Sequence, residues 1–331
     1  MIADVFCALF KNFINRILQQ KPNILNLLAH STNIMKISHW IKAFRLRTLF
    51  LSLSCIWAGI LCISTEQEIH PIISWLNVLT ALFLQILSNL ANDYGDSVHG
   101  ADSDERKGPK RMVQAGFISA KNMKLAMLIA AILSLVSGSC LLYFAMPIIG
   151  TAATATLFAV GILAILAAIA YTNGKRPYGY AGLGDISVFI FFGFVAVMGT
   201  QYLQTASASL NAIYLSIAYG GLSVGVLNLN NMRDIESDQT AGKKSIPVRL
   251  GLSKAQTYHS IVLAISFFGL NQFLRQINLP AEFTTFPIAG IYLWNMIAAQ
   301  KAKDYQSFDP LLKWLSLSTL LITFIIYFGL K

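Results

Sequence analysis

Nine stretches of about 20 predominantly apolar residues follow one another along this chain, and they constrain its fold more than any other feature. The chain is 55% hydrophobic and only 12% charged, and its mean hydropathy is +0.59, which excludes a soluble domain of 331 residues. The sequence therefore predicts an all-α integral membrane protein. Its nine transmembrane helices are expected at residues 46–64, 72–90, 125–146, 148–170, 186–203, 211–229, 257–275, 280–299 and 311–330.

The distribution of basic residues predicts the orientation of these helices, because Lys and Arg accumulate in short cytoplasmic loops. If the N-terminus lies inside, 23 of the 25 Lys and Arg fall in inside segments, and only Arg275 and Lys331 fall outside. Topology and attraction to anionic lipid then explain the net charge of +10. Nucleic acid is not expected as a partner.

Residues 1–34 differ from the rest of the chain. Apolar and polar residues alternate there at helical spacing until Lys21-Pro22, which is typical of an amphipathic helix at a membrane surface. A start codon placed too early is an alternative, since Met35 opens a new segment, and an acid-poor targeting segment is another. Residues 35–331 are predicted to form one membrane domain.

Two polar segments follow predicted helices at matching positions. "NDYGDSVHGAD" comes after the second helix, and "NMRDIESDQTAGKKSIPVRLG" comes after the sixth. Each segment, taken with the helix end that precedes it, provides three polar residues at i, i+3 and i+7, which places them on one stripe of a helix. These residues are Asn89, at the end of the second helix, with Asn92 and Asp96, and Asn231, Asp234 and Asp238 in the second segment. The chain therefore contains a weak internal repeat.

The acidic residues of both segments lie at helix C-termini, where each negative charge costs about 0.3–1 kcal/mol against the helix macrodipole. A cation is therefore expected nearby. Lys or Arg could compensate them, but oxygen ligands on two facing helices suit Mg²⁺, which binds a few carboxylates together with phosphate oxygens. Polar helix ends in contact with water are the other interpretation. Many basic residues nearby favour a phosphate-bearing ligand: Arg106, Lys107, Lys110, Arg111, Lys243, Lys244 and Arg249.

These two segments, together with "YTNGKRPYGYAGLGDISVFIFFG" at 171–193, resemble the motifs of the UbiA superfamily of intramembrane aromatic prenyltransferases. More narrowly, they are similar to the branch of the menaquinone pathway that acts on 1,4-dihydroxy-2-naphthoate. The resemblance covers residues 38–331. The general first motif is NDxxDxxxD, but here Gly100 takes the last position and the third acid is displaced to Asp102, which leaves its metal role open. In the second motif, Ser245-Ile246 replaces a common Thr-Leu pair.

The resemblance implies a nine-helix UbiA-type bundle in the cell inner membrane, with the active site on its cytoplasmic side. It implies a Mg²⁺-dependent transfer of a polyprenyl chain from polyprenyl diphosphate to 1,4-dihydroxy-2-naphthoate, with loss of CO₂ and diphosphate, to give demethylmenaquinol. Prenyl transfer to 4-hydroxybenzoate or homogentisate is an alternative. A membrane transporter is a further one, because helices, an internal repeat and intramembrane acids also fit it. Prenyl chain length, the number of Mg²⁺ ions and the oligomeric state stay open.

The site residues that the resemblance implies fall into groups. The expected catalytic residues are Asp93, Asp96, Asp234 and Asp238, and the expected metal ligands are Asn92, Asp96, Asp234 and Asp238. The expected diphosphate-binding residues are Lys243, Arg106 and Lys107. Candidates to anchor the carboxylate of the aromatic substrate are Arg45, Arg47, Tyr171, Lys175 and Arg176. Asp185 is expected to cap the N-terminus of the following helix rather than to act as a base.

Overall fold

Every regular element in the described residues of the computed structural model is a helix. The described residues are 37–63, 67–100, 108, 111–280 and 284–330. The chain divides into two units, Met1–Trp40 and Ile41–Lys331, and only residues 37–40 of the first are described. The predicted amphipathic segment 1–34 therefore lies outside the described residues, and so do Arg106 and Lys107.

The helices overlap the stretches predicted from hydropathy. Their bounds are α1 Ile37–Phe44, α2 Leu46–Leu61, α3 Pro71–Val98, α4 Ala120–Ala170, α5 Gly184–Thr205, α6 Leu210–Arg233, α7 Ile235–Thr240, α8 Ile246–Leu250, α9 Leu252–Gln276, α10 Thr285–Lys301 and α11 Phe308–Gly329. The middle of α5, Phe189–Met198, is π-helical. A 3₁₀ turn at Tyr305–Ser307 precedes α11.

Within the described residues, five helices are long and apolar enough to cross a membrane, namely α3, α4, α5, α6 and α11 with its preceding turn. A sixth span results if α1 and α2 are counted as one broken span. The predicted multi-pass membrane character is confirmed, but the count of nine spans is not. One reason lies in α4, a single 51-residue element that contains two predicted spans and is interrupted at Gly150, where φ is 78° and ψ is 165°.

Helix α6 lies at the centre of the packing and contacts α2, α5, α9 and α11. Small residues let the backbones approach each other, as is usual between membrane helices. A Cβ atom at Gly193 of α5 would lie 2.5 Å from the carbonyl oxygen of Ser216 in α6. Helix α3 packs mainly along α4, and α2 contacts both α3 and α6. Helix α2 therefore joins the helices that carry the two polar motifs.

Gly95, near the end of α3, packs against the backbone that follows α4. A Cβ atom at this position would lie 2.5 Å from the carbonyl oxygen of Thr172 and 2.8 Å from its carbonyl carbon. Because overpacking against backbone costs about 1–3 kcal/mol, we expect Gly95→Ala to lower the melting temperature of the detergent-solubilised protein. Gly290→Ala in α10, where nothing lies within 4 Å of the new Cβ, is the matched control. Equal melting temperatures for both variants would contradict the close approach at Gly95.

Candidate active site

The first polar motif lies on α3, which continues two turns beyond its predicted end at residue 90. The helix ends at Val98, so Asn89, Asn92 and Asp96 share one helix as the spacing predicts. Hydropathy falls after Leu90 although Asp96 is only 2% exposed. The polar end of α3 is therefore buried in the protein and is not a solvated helix terminus.

The second polar motif is not on one continuous helix, and that prediction is wrong. Helix α6 ends at Arg233 and α7 begins at Ile235, and the backbone at Asp234 leaves helical geometry with φ −100° and ψ 15°. The physical reason is an interaction between adjacent side chains. Arg233 donates to both oxygens of Asp234 at 2.8 Å, and neighbouring side chains on a regular helix do not face each other in this way.

Lys243 brings the two motifs together. Its Nζ atom lies 3.0 Å from Oδ1 of Asp96 and 3.0 Å from Oδ1 of Asp238. Tyr180 donates a hydrogen bond to Oδ1 of Asp96 at 3.0 Å, and the centre of its ring lies 4.9 Å from the Lys243 ammonium. Arg111 contacts the other oxygen of Asp96 at 2.5 Å. Asp96 is therefore held by donors from three different segments.

The charges at this junction depend on each other. Burial raises the pKa of Asp238 to about 6; Lys243 opposes this rise, and Asp234 and Asp96 add to it. Burial would lower the pKa of Lys243, but the carboxylates of Asp96 and Asp238 raise it above its ordinary value. The ammonium therefore stays charged at neutral pH, between two acids that would otherwise repel each other.

The predicted metal ligands Asn92, Asp96, Asp234 and Asp238 all line one cavity. Their oxygen atoms are the donors that Mg²⁺ prefers. Among residues 37–63, 67–100, 108, 111–280 and 284–330, no group of three or more His, Cys, Asp or Glu is close enough to hold a metal ion. The set therefore fits a Mg²⁺ ion that takes one or two carboxylates and completes its shell with phosphate oxygens and water, and does not fit an all-protein cage.

Asp93 was predicted to be catalytic, but its carboxylate does not line this cavity. Its two oxygens accept hydrogen bonds from the backbone N–H groups of Met112, at 2.9 Å, and Val113, at 3.0 Å. Through these two bonds Asp93 fixes the backbone that follows Arg111, which is a structural role. Because both of its oxygens accept from backbone amides, this carboxylate stabilises the local backbone conformation.

We expect Asp93→Ala to lower the free energy of unfolding by about 2–6 kcal/mol, because two backbone amides lose their acceptor at a cost of about 1–3 kcal/mol each. Asp93→Asn, which keeps one good acceptor, should have a smaller effect. Thermal unfolding in detergent measures both variants. An Asp93→Ala protein that melts like the unsubstituted protein but has lost its activity would restore the catalytic assignment.

Only some of the residues predicted to bind an aromatic carboxylate lie at the cavity. Arg45 and Tyr171 line the cavity. Arg47 also lines it, but its Nη1 atom lies 3.0 Å from Oδ1 of Asp309. Lys175 and Arg176 are exposed and do not line the cavity, so the structure does not bring them to the site. Positive charge in an exposed loop is explained by membrane topology alone.

Asp185 lies in the first turn of α5 but does not cap it, so the predicted capping role is wrong. The N-cap position of α5 is Leu183, and no side chain caps it. Instead, Oδ2 of Asp185 accepts a hydrogen bond from the hydroxyl group of Tyr258 in α9 at 2.7 Å, and the carboxylate lines the cavity.

Sequence reasoning missed Tyr180, which lines the cavity, and the pair Arg233 and Asp309, which does not line it but contacts Asp234 through Arg233. Arg233, which is 1% exposed, pairs with Asp309 of α11 as well as with Asp234. Asp309 also pairs with Arg47 of α2. Asp309 is 76 residues from Arg233 and leaves no local signal in the sequence. Tyr180 lies within the third motif, but only the folded chain places its hydroxyl group on Asp96.

The cavity extends from this charged end into an apolar interior between α3, α4 and α5, and its volume is about 390 Å³. Its apolar wall includes Leu84, Leu141, Leu157, Phe158, Phe191 and Val195. Such a cavity suits a ligand with an anionic head group and an apolar chain. Fold and site together therefore define a multi-pass membrane protein that holds an amphiphile among its helices.

Residues 52–317 match the UbiA prenyltransferase family, and the chain belongs to that family. It is 45% identical over 236 residues to the 1,4-dihydroxy-2-naphthoate octaprenyltransferase of Haemophilus influenzae, covering 70% of this chain and 75% of the relative. It is 40% identical over 266 residues to the Escherichia coli protein of the same name, covering 80% and 82%. The resemblance carried by the three motifs is thereby confirmed.

Solved structures show the same fold. A UbiA homologue from Aeropyrum pernix superposes with a TM-score of 0.65 at 17% identity, over 86% of this chain and 97% of the other. A UbiA homologue from Archaeoglobus fulgidus, solved bound to GPP and Mg²⁺, superposes with a TM-score of 0.59 at 15% identity, over 87% and 99%. The predicted all-α UbiA architecture is therefore confirmed at the level of the fold.

Proposed function

We propose that this protein transfers a polyprenyl chain from polyprenyl diphosphate to 1,4-dihydroxy-2-naphthoate, releasing CO₂ and diphosphate. The observation that carries the proposal is the junction at Lys243, where the two acidic motifs meet at the charged end of an apolar cavity. The names of both relatives support the choice of acceptor, since each is a naphthoate octaprenyltransferase similar over most of this chain. The product is demethylmenaquinol, an intermediate of menaquinone biosynthesis.

The charged end of the cavity binds the diphosphate in this proposal. Lys243 and Arg111 line the cavity and supply positive charge as the carbon–oxygen bond of the prenyl diphosphate breaks and its electron pair moves to the diphosphate. Mg²⁺, when bound by one or two of the carboxylates among the proposed ligands Asn92, Asp96, Asp234 and Asp238, would supply further positive charge that neutralises the leaving group. Arg106 and Lys107 remain proposed diphosphate ligands.

The apolar part of the cavity holds the prenyl chain and excludes water from the allylic cation. The ring carbon that carries the carboxylate of the naphthoate forms the new bond to the prenyl carbon. The bond to the carboxylate then breaks, CO₂ leaves, and the released electron pair restores the aromatic ring. Arg45 and Tyr171, which both line the cavity, are the proposed contacts of the acceptor carboxylate before it is lost.

The finer topology belongs to the same proposal. Nine spans result if the two parts of α4 on either side of Gly150 each cross the membrane and if α2, α9 and α10 are spans as well. The basic residues then place the N-terminus and the active site on the cytoplasmic side of the inner membrane. Residues 35–331 form the prenyltransferase domain, and residues 1–34 are an extension.

Purified protein given Mg²⁺, a polyprenyl diphosphate and each candidate aromatic acid in turn tests this proposal. We expect diphosphate and CO₂ to be released in equal amounts with 1,4-dihydroxy-2-naphthoate, and excess EDTA to stop both. Diphosphate without CO₂ would reject the naphthoate reaction. Turnover with 4-hydroxybenzoate or homogentisate but not with the naphthoate would assign the protein to another acceptor.

A further inference from the structure

Asp185 is a buried carboxylate in the cavity wall that the proposed chemistry does not use. It is 8% exposed, and its Oδ2 atom accepts a hydrogen bond from Tyr258. Among the described residues, no Lys, Arg or His forms an ion pair with it, and its Oδ1 atom has no hydrogen-bond partner. Oδ1 is also not enclosed by protein atoms, so it opens to the cavity that Asp185 lines.

A carboxylate in apolar surroundings is costly unless hydrogen-bond donors satisfy it, and an ionised carboxylate has room for about four. The nearby hydroxyl group of Tyr178 is committed elsewhere, because it donates to the carbonyl oxygen of Ala167 and contacts the hydroxyl group of Ser187 at 3.0 Å. No hydrogen bond joins Asp185 to the neighbouring Tyr171 in the part of the chain that the structure describes, so a hydroxyl group of a ligand in the cavity can supply the further donor.

The two proposed substrates differ in what they can offer to Asp185. A prenyl chain has no hydrogen-bond donor, and a diphosphate is an anion that Asp185 repels. 1,4-Dihydroxy-2-naphthoate has two hydroxyl groups, and each is a donor. We propose that Asp185, held in position by Tyr258, accepts a hydrogen bond from a ring hydroxyl group of the aromatic acceptor. This inference rests on the proposed function and deepens it.

Such a contact has two consequences for the acceptor. A carboxylate that accepts from the hydroxyl group increases the electron density of the ring, which favours attack on the prenyl carbon. The same charge repels the carboxylate of the acceptor and favours its binding by a basic residue of the cavity wall, for which Arg45 is the candidate proposed above. No net proton transfer is needed, because the electron pair that restores the ring comes from the bond that releases CO₂.

Binding of the acceptor, measured by titration calorimetry without prenyl diphosphate, tests the inference independently of turnover. The ligands are 1,4-dihydroxy-2-naphthoate, 1-hydroxy-2-naphthoate and 4-hydroxy-2-naphthoate, and the latter two each lack one hydroxyl group. For the unsubstituted protein, we expect removal of the hydroxyl group that contacts Asp185 to weaken binding about 10- to 100-fold, the usual effect of a hydrogen bond to a charged group. Asp185→Ala should weaken binding of the full acceptor by a similar factor and barely affect the analogue that lacks this group.

Three comparisons make the test specific. Asp185→Asn keeps the shape of the side chain and shows whether loss of charge alone weakens binding. Tyr258→Phe should produce a smaller loss with the same dependence on the hydroxyl group. Asp304→Asn, at an exposed position outside the cavity, is the control for loss of an acid. The Michaelis constant for the polyprenyl diphosphate should be unchanged in all of these variants.

Equal loss of binding for all three ligands in Asp185→Ala, or no loss for any, would overturn the inference. So would a naphthoate that does not bind the unsubstituted protein. The proposed function fails separately, when a bound naphthoate and a polyprenyl diphosphate give neither CO₂ nor diphosphate.

Discussion

Lys243→Met is expected to abolish prenyl transfer, and Lys244→Met is expected to leave most of it intact. Lys243 is mostly buried, and its Nζ atom lies 3.0 Å from both Asp96 and Asp238, whereas the neighbouring Lys244 is exposed. The loss should reach about 100- to 1,000-fold in kcat, which is typical for removal of a positioned charge that stabilises a leaving group. Release of diphosphate from a polyprenyl diphosphate, with saturating naphthoate, measures it.

The same substitution has a second expected result that separates electrostatics from general damage. Without Lys243, burial and the neighbouring carboxylates act unopposed on Asp238, so its pKa rises above the value of about 6 that it has beside the ammonium. The Asp238 carboxyl group then gains a proton at a higher pH than in the unsubstituted protein. A Lys243→Met protein that remains folded and keeps more than a tenth of its activity would contradict the role given to Lys243.

Asp238→Asn is the second substitution with a large expected effect, and Glu236→Gln is its matched control. Both acids lie on the short helix α7, but Asp238 is 5% exposed and lines the cavity, whereas Glu236 is exposed. We expect Asp238→Asn to reduce kcat by about 100-fold or more, because an amide keeps the shape of the side chain but not the charge that balances Lys243 and binds Mg²⁺. Asp96→Asn should have an effect of the same size.

Binding of Mg²⁺ in the presence of a prenyl diphosphate distinguishes the causes. Asp238→Asn should require a higher Mg²⁺ concentration for half-maximal protection against thermal unfolding, and Glu236→Gln should not. Equal activity of the two variants would remove Asp238 from the site. A loss of activity in Asp238→Asn that is accompanied by a lower melting temperature without ligand would indicate a structural role instead.

The spacing of polar residues predicted the centre of this site because a helical stripe survives folding. Asn92 and Asp96 follow from one helix, and the resemblance of the motifs supplied Lys243. The ends of the helices were less predictable. A helix end predicted from hydropathy falls where the apolar residues give way to polar ones. The last two turns of α3 are polar but buried by other parts of the protein, so the helix continues to Val98.

Some side-chain contacts could not be predicted from the sequence pattern, even between adjacent residues. The second motif was predicted as a regular helix because nothing in its sequence shows that Arg233 turns back onto Asp234. The basic residues after α4 were ambiguous for a different reason. The sequence of Lys175 and Arg176 is equally consistent with a cytoplasmic loop and with a substrate-binding role. The structure distinguishes these two interpretations, because both side chains are exposed and lie outside the cavity.

The pairing of Asp309 with Arg47 and Arg233 can form only after α11 has been synthesised, later than both acidic motifs. Asp309 lies in the first turn of α11, which follows both acidic motifs in the sequence, whereas Arg47 lies on α2 and Arg233 ends α6. Until α11 is inserted, Arg233 lacks one of its two acidic partners and keeps only its contacts with Asp234 and Asn230. Chains that contain both acidic motifs but not α11 are therefore expected to be less active than chains that contain α11.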